Sequence, residues 1–385
     1  MSTRKLYYED PYLTSFSATV IECIPASDGY WIALDSTAFY PEGGGQSWDT
    51  GTLDQAKVLQ VQEKEETVYH LCDRPLKVGA AVLGNVFMPP RFDQMQQHTA
   101  EHILSGLIFD AFGYQNSGFH MGADVMEVDF DGIVPQEALP ELEAKANRAI
   151  WENLPVSCTV PSPEDLPKIT YRTKRELPWP VRIVQIPGYD SCACCGLHVA
   201  NTGEIGFIKI LSCVKFRGGV RMEVVSGQRA YRYMCAIWEQ NRMVSQCLSA
   251  HMTQTGEAAM ALKDALAAEK FRATGLQEQL FHEIAKRYQA AENVLHFAKD
   301  LPPAALRSLA DAIAAQCTGI AAVLSQSGDT YSYALVSSTR EVASLGKELA
   351  KALPCRGGGK PYAQQGTIQA SREEIAAFFA STGRF

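Results

Sequence analysis

The sequence contains no apolar run approaching the length of a membrane helix, so no membrane partner is expected. Its first residues, MSTRKLYYEDPYL, lack the basic-then-apolar pattern of a secretory signal, and a cytoplasmic location is expected. Basic charge is scarce as well. Lys and Arg total 35 against 43 Asp and Glu, a formal net charge of −8, which argues against a surface evenly devoted to phosphate. There is no disulfide framework either: the 11 cysteines are scattered over 385 residues, except where Cys192, Cys194 and Cys195 crowd one segment. Reduced thiols are therefore the expectation, and a tight Cys/His cluster then points to a metal or to catalysis. What remains is ordinary globular composition, 46% hydrophobic and 20% charged, at a length that suits two or three domains.

Basic residues do gather locally. Lys168, Arg172, Lys174 and Arg175 form one group; Lys215, Arg217 and Arg221, followed by Arg229 and Arg232, form another; Lys347, Lys351, Arg356 and Lys360 form a third. By charge alone these are solvated faces.

Along the chain, residues 1–90 have the short alternating runs of β structure, with strands expected at Phe16–Ile24, Tyr30–Leu34, Val58–Val61 and Val68–Leu71. Between the second and third runs lies Phe39–Gly51 (FYPEGGGQSWDTG), where three successive glycines permit positive φ and close approach of the backbone to something else. After Pro89-Pro90 the period changes, and Arg91–Phe112 has the spacing of a helix. Mixed elements follow to about residue 225. Ala230–Lys299 has no proline and only two glycines, Gly256 and Gly275, which predicts one or two long helices with a buried face through Leu276, Leu280, Ile284 and Tyr288. Beyond Pro302-Pro303 a small α/β unit is expected. Its helices lie over Ala304–Gln316, Val342–Leu353 and Arg372–Ala380, and its strands over Gly319–Leu324, Tyr331–Val336 and Gly366–Ala370.

His98 and His102 stand four residues apart on the predicted helix, so both imidazoles leave one face, one turn apart. Cys194 and His198 repeat the same step within a glycine-containing turn. One thiolate and three imidazoles suit zinc, which takes nitrogen and sulfur donors tetrahedrally. The competing readings are an inert thiol with a core histidine, or a purely structural zinc in which Cys192 or Cys195 replaces a ligand. Glu101, between the two histidines, leaves a different side of the helix and is read as facing solvent; His120 either lines the cleft or is a surface histidine.

At these residues the chain resembles the editing domain of alanyl-tRNA synthetase and its free-standing relatives, the AlaX proteins. Five segments carry the likeness in order: Phe39–Gly51; Gln97–Leu104 (QHTAEHIL); Cys194–Gly206 (CCGLHVANTGEIG); Arg217–Ala230 (RGGVRMEVVSGQRA); and Gly357–Gly366 (GGGKPYAQQG), the last similar to the Gly-rich loop of the DHH-associated domain. Cys195 and Leu197 stand where the family more often has Gly and Thr, and Gln115-Asn116-Ser117-Gly118 only loosely echoes its Gln-Lys-Gly-Ser stretch.

The resemblance implies an α+β chain in four parts: a β-barrel-like module (1–90), a zinc-containing editing domain (91–229), a helical linker (230–300) and a small α/β, DHH-associated-type tRNA-binding domain (301–385). Its implied ligands for one Zn2+ per chain are His98, His102, Cys194 and His198, with catalysis through the metal. Candidate substrate contacts are Gly43, Gly44, Gly45, Gln46, Gln115 and Ser117; candidate RNA contacts are Arg217, Arg221, Gly357, Gly358, Gly359 and Lys360. The implied partner is tRNA(Ala) mischarged with serine or glycine, deacylated in trans by a long AlaX form with no aminoacylation domain. The linker or the last domain allows a homodimer. Two enzyme alternatives are weaker: a threonyl-tRNA editing domain, which the two Gly-rich segments disfavour, and a DHH phosphoesterase, whose Asp-His-His motif this chain lacks. An RNA-binding protein with structural zinc is the non-enzymatic alternative.

Overall fold

The computed structural model describes residues 2–173 and 179–385, which fall into two compact units, Met1–Met243 and Val244–Phe385. Lys174 and Arg175 of the first basic group lie outside the described residues. Among the described residues no helix is long and apolar enough to cross a membrane.

The first unit begins with β1 (Arg4–Lys5), α1 (Leu6–Glu9), β2 (Ser15–Ala26), β3 (Gly29–Leu34), β4 (Ser36–Thr37), β5 (Gly51–Leu53), β6 (Ala56–Lys64), β7 (Thr67–Cys72) and β8 (Ala81–Val86). Six of these close on themselves in the order β2-β3-β7-β6-β5-β8, every neighbour antiparallel. β2 serves two partners, β8 with its first half and β3 with its second, and its register shifts between Val20 and Glu22 where it changes over. Strict alternation of exposed and buried residues along β8 shows one face turned inward. Ile32, Leu34, Leu53, Val61 and Val68 fill the interior.

Next comes α2 (Met88–Phe112), with proline in its first turn and Gly113 at φ 74° closing it, donating its N–H to the Phe109 carbonyl at 2.7 Å. From Met95 to Gly106 every residue of α2 is buried, polar ones included. The elements around it are β9 (Asn116–Met121), β10 (Met126–Phe130), α3 (Leu139–Glu152), β11 (Ser157–Thr159), β12 (Ile183–Ile186), β13 (Asp190–Ala193), β14 (Ile208–Phe216) and β15 (Gly219–Ser226). They make a four-stranded sheet, β14-β15-β10-β9, and a three-stranded sheet, β11-β12-β13. α2 packs against α3, β9, β13 and β15.

α4 (Gly227–Leu248) leads on. The second unit then comprises α5 (Thr255–Lys286), β16 (Val294–Lys299), α6 (Pro303–Ala314), β17 (Ala321–Ser327), β18 (Thr330–Val336), α7 (Ala343–Ala352), β19 (Cys355–Lys360), β20 (Ala363–Ile368) and α8 (Arg372–Ser381). Its sheet runs β16-β17-β18-β20-β19, with only β16 and β17 parallel. Both faces are covered, because Val323 and Ala321 enter one core with α6 while Ala322 and Leu324 enter another with α7 and α8.

Three expectations change here. Val294–Lys299 is a strand rather than the end of a helix, since its parallel pairing with β17 supplies a ladder that helix continuation would forgo. Gly357–Gly359 lie inside β19, paired with β20, rather than in a loop. The buried stripe of α5 is Phe281 and Ala285 against α6, with Ile284 and Tyr288 beside it, while Leu276 and Leu280 remain exposed.

Candidate functional site

Burial of α2 on every side explains how its polar residues become a site. His98 and His102 leave it one turn apart with ring centroids 5.4 Å from each other, both almost fully buried. Cys194 and His198 reach them from the segment after β13. That segment is held from several directions. Arg182 donates from Nη1 to the carbonyls of Cys194 (2.9 Å) and Gly196 (2.8 Å), and its guanidinium lies over the Tyr8 ring. The Tyr8 hydroxyl donates to the Cys195 carbonyl at 2.9 Å, and the Leu197 N–H donates to Gln46 Oε1 at 3.0 Å. Gly196 permits the closest approach: a Cβ there would lie 2.0 Å from His98 Cε1. Any other residue would push the turn off the imidazole.

The ligating atoms of His98, His102, Cys194 and His198 all lie within 4.8 Å of one another. Cys194 Sγ is 3.4 Å from His98 Nε2. His102 donates from Nδ1 to Asp190 at 2.7 Å, and Arg172 grips the same carboxylate at 2.8 and 3.0 Å. That contact puts the His102 lone pair on Nε2, toward the cluster. Thr99 does the same for His198. Its hydroxyl donates to the Met95 carbonyl (2.8 Å) and accepts from the Val199 N–H (3.2 Å), so toward His198 Nδ1, 3.3 Å away, it can only accept. His198 Nε2 is then a bare lone pair, buried and without a hydrogen-bond partner, and His98 Nδ1 is also buried and unpartnered. Of these two, His198 Nε2 lies on the cluster side, and an orphaned buried lone pair beside a thiol is what a cation site presents.

The electrostatics agree. Burial drives the His198 imidazole down to about 3, which keeps it neutral as a ligand must be. Burial alone would raise the Cys194 thiol, but His98 and His102 outweigh it and hold it well below its ordinary value, as thiolate. For His102, burial opposes charge, yet Cys194 and Asp190 prevail and raise it far above the usual histidine range. The raised imidazole and the lowered thiol favour each other as a charge pair, and a divalent cation on these donors would take its place. The donor set is compatible with zinc.

A cavity of about 610 Å³ opens over the cluster. Of the candidate substrate contacts, Gly44, Gly45 and Gln115 line it. Gly43 pairs with Gln46 across a tight turn, and Gln46 is buried, its Oε1 spent on Leu197. Ser117 is exposed, donates to the Asp129 carbonyl at 3.3 Å and lies off the lining. Cys192 and Cys195 line the cavity; burial pushes the Cys192 thiol up to about 11 and the Cys195 thiol up as well, so neither offers a ready thiolate. Arg221 is committed to Asp129 (2.6 and 2.8 Å) and Glu127 (3.0 Å), while Arg217 rests over Phe216. Gly357, Gly358, Gly359 and Lys360 form the exposed strand β19 of the second unit.

His120 is exposed on β9, off the cavity lining. Glu101 is a correction: it is 5% exposed and lines the cavity, because α2 has no solvent side at that level. Asp190, Arg172, Thr99 and Arg182 were not singled out for the site from the sequence. Asp190 stands in the same YDSCACCGLH segment as the ligands, and proximity to them was the one available signal.

Comparison with known proteins follows the same lines. The family described as "Threonyl and Alanyl tRNA synthetase second additional domain" matches residues 181–227, and "tRNA synthetases class II (A)" matches 10–87. The alanyl-tRNA editing protein Aarsd1 of Rattus norvegicus is 27% identical over 398 residues, covering 97% of this chain and 96% of that protein. The Mus musculus protein of the same name is 31% identical over 249 residues, 60% of each. The alanine–tRNA ligase of Ignicoccus hospitalis is 29% identical over 394 residues, 97% of this chain but 42% of the ligase. The chain thus spans less than half the length of the ligases it matches.

Proposed function

We propose that this chain, an AlaX-type relative of the alanyl-tRNA editing proteins, hydrolyses the ester joining a wrong amino acid to tRNA(Ala), in trans and without charging tRNA itself. Serine is the principal substrate residue, with glycine alongside it. The observation that carries this reading is a cluster of four ligating side chains, three of which, His98, His102 and Cys194, line a substrate-sized cavity.

One zinc ion per chain would be held by His98, His102, Cys194 and His198, and when bound it supplies positive charge for an ester carbonyl or a bound water. The remaining work belongs to the chain. Asp190 keeps the proton on His102 Nδ1, and Thr99 keeps it on His198 Nδ1, so each lone pair faces the metal position. Gly44 and Gly45 present a wall without side chains, where the aminoacyl end can lie against the backbone. Gln115 brings an amide to the cavity for the serine hydroxyl. An alanine pocket elsewhere discriminates a hydroxyl or a methylene by only about 1–3 kcal/mol, so a second site that rewards the hydroxyl is what fidelity requires.

The four-part division at 1–90, 91–229, 230–300 and 301–385 is retained as part of this reading. Arg217 and the exposed β19 residues Gly357, Gly358, Gly359 and Lys360 contact tRNA, while Arg221, already ion-paired, contributes less. Exposed apolar side chains on α4 and α5, such as Trp238 and Phe271, support a homodimer through the linker.

One observation favours a second reading. Four protein donors saturate a tetrahedral ion, as structural sites do, which suits a zinc-stabilised RNA-binding protein. Incubation with seryl-, glycyl- and alanyl-tRNA(Ala), with and without chelator, separates the two. Chelator-sensitive release of serine, with alanine spared, supports the deacylase. Retained tRNA with no release from any of the three supports the structural alternative.

A further inference from the structure

The carboxylate of Glu101 is held more tightly than a charge with no task requires. Its Oε1 accepts from Ser105 Oγ and from Asn116 Nδ2, both at 2.5 Å, one donor on α2 and the other on β9. These contacts come from two elements and fix the side-chain rotamer. Oε2 lies 3.9 Å from His102 Nε2, the nitrogen that faces the metal cluster. Glu101 is nevertheless part of the cavity wall.

The charges around the cavity make it distinctive. Two cations line it, Arg172 and Arg182. Arg172 is neutralised by Asp190, and Arg182 spends Nη1 on two carbonyls. Among the described lining residues Glu101 is the one carboxylate. Apart from the Cys194 thiolate, which faces the metal position, a small ligand bearing a positive group therefore meets a single anionic partner in the cavity, already oriented and beside that position. An aminoacyl ester carries such a group, an α-ammonium two bonds from its carbonyl carbon.

We propose that Glu101 is the anchor for the α-ammonium of the aminoacyl group, holding the amino acid so that its ester carbonyl lies over the metal cluster. This rests on the deacylase reading above. It assigns Glu101 to binding: the contact exists in the bound substrate as well as in the transition state, so its loss raises KM more than it lowers kcat. A charge-assisted hydrogen bond out of water corresponds to about a tenfold to hundredfold change in binding.

The test uses the full-length zinc-loaded protein, Glu101→Gln, and two substrates, seryl-tRNA(Ala) and its N-acetylseryl counterpart, which has lost the ammonium charge. Glutamine keeps the shape and the acceptor for Ser105 and Asn116, and metal content of the variant reports that the cluster is intact. The expected result is a KM for seryl-tRNA about tenfold or more above wild type with kcat nearly kept, and a difference between the two proteins that collapses on the N-acetylated substrate. An equal loss of kcat on both substrates would overturn the proposal and assign Glu101 to the chemical step. Unchanged kinetics on both, with zinc retained, would also overturn it. A wild type that releases serine from neither substrate would instead overturn the deacylase reading beneath it, and that outcome is visible without the variant. If Glu101→Gln loses zinc, Ser105→Ala and Asn116→Ala, which free the carboxylate without removing it, give the second measurement. Raised KM confined to the unacetylated substrate supports the anchor, and its absence overturns it.

Discussion

The same tripeptide, Gly-Gly-Gly, occurs twice in this chain and does opposite things. Gly43–Gly45 form a tight turn, with Gly44 at φ 60° and Gly45 at φ 82°, conformations that side chains with a Cβ rarely adopt. A Cβ on Gly45 would come within 2.7 Å of Phe119, a wall of the cavity. Gly357–Gly359 instead lie extended in β19, on the edge of the second unit's sheet. There the constraint is local packing: a Cβ on Gly357 would meet the Tyr333 hydroxyl at 2.3 Å, whereas one on Gly358 would meet nothing within 4 Å. Composition is thus a poor guide to what a glycine run is for. The first run brings backbone to a cavity; the second makes room for a neighbouring side chain.

That contrast is most strongly broken at a third glycine, Gly196, which packs against His98 of the metal cluster. Gly196→Ala is expected to displace His98, to lower metal content sharply and to reduce serine release on the order of a hundredfold. Metal analysis alongside the deacylation assay checks it. Next in size is the clamp that ends the first glycine segment. Asp49 accepts from the Tyr40 N–H at 2.6 Å and is gripped by Arg91, which is fully buried and also reaches the carbonyls of Pro11, Leu13 and Ala38. Arg91→Met leaves that carboxylate buried and unpaired, and urea unfolding should show a loss of about 3–5 kcal/mol in the first unit.

Acid sharpens the comparison by the same logic. His70, fully buried behind Thr37 and Phe39 in the closed β structure, has its imidazole lowered by burial to about 4. The folded state therefore resists the proton that the unfolded chain takes up near 6.5, so stability is full above about pH 6.5 and falls as the pH drops toward 4. The loss is about 3 kcal/mol in all, measurable by unfolding at pH 7 and pH 5, and His70→Leu should flatten it. Among the described histidines of the second unit none is fully buried, so hydrogen exchange should show the first unit weakening first. The smallest effects lie within the two runs themselves. Gly45→Ala and Gly357→Ala should each cost roughly 1–3 kcal/mol, the first also raising KM for seryl-tRNA and the second lowering the melting of the sheet. Gly358→Ala should change stability by no more than about 0.5 kcal/mol. If Gly358 proved as sensitive as Gly45, the contrast would fail.

Much of the fold was legible where a pattern repeats locally. The β2, β3, β6 and β7 strands, the helix carrying the two histidines, and α6, α7 and α8 were expected within a few residues of where they lie. The misses share a cause. β16 was read as helix because nothing in Val294–Lys299 announces the parallel partner 27 residues later. Glu101 was read as facing solvent because a helical wheel presumes a wet side, and α2 between Met95 and Gly106 has none. Leu276 and Leu280 were read as buried because an apolar stripe says that a face can be covered, not that anything covers it.

The sequence by itself determined the donor chemistry: two histidines a helical turn apart, a Cys and a His at the same step, and a glycine, Gly196, between them. Those are local facts, set by residue type and by the pitch of a helix. Tertiary structure alone decided which nitrogen of His102 and of His198 is bare, because Asp190 and Thr99 arrive from elsewhere in the chain to hold the other one. It also turned Glu101 inward. Whether a charge meets water or a cavity depends on what distant elements cover its helix, and that is settled only when the chain has packed.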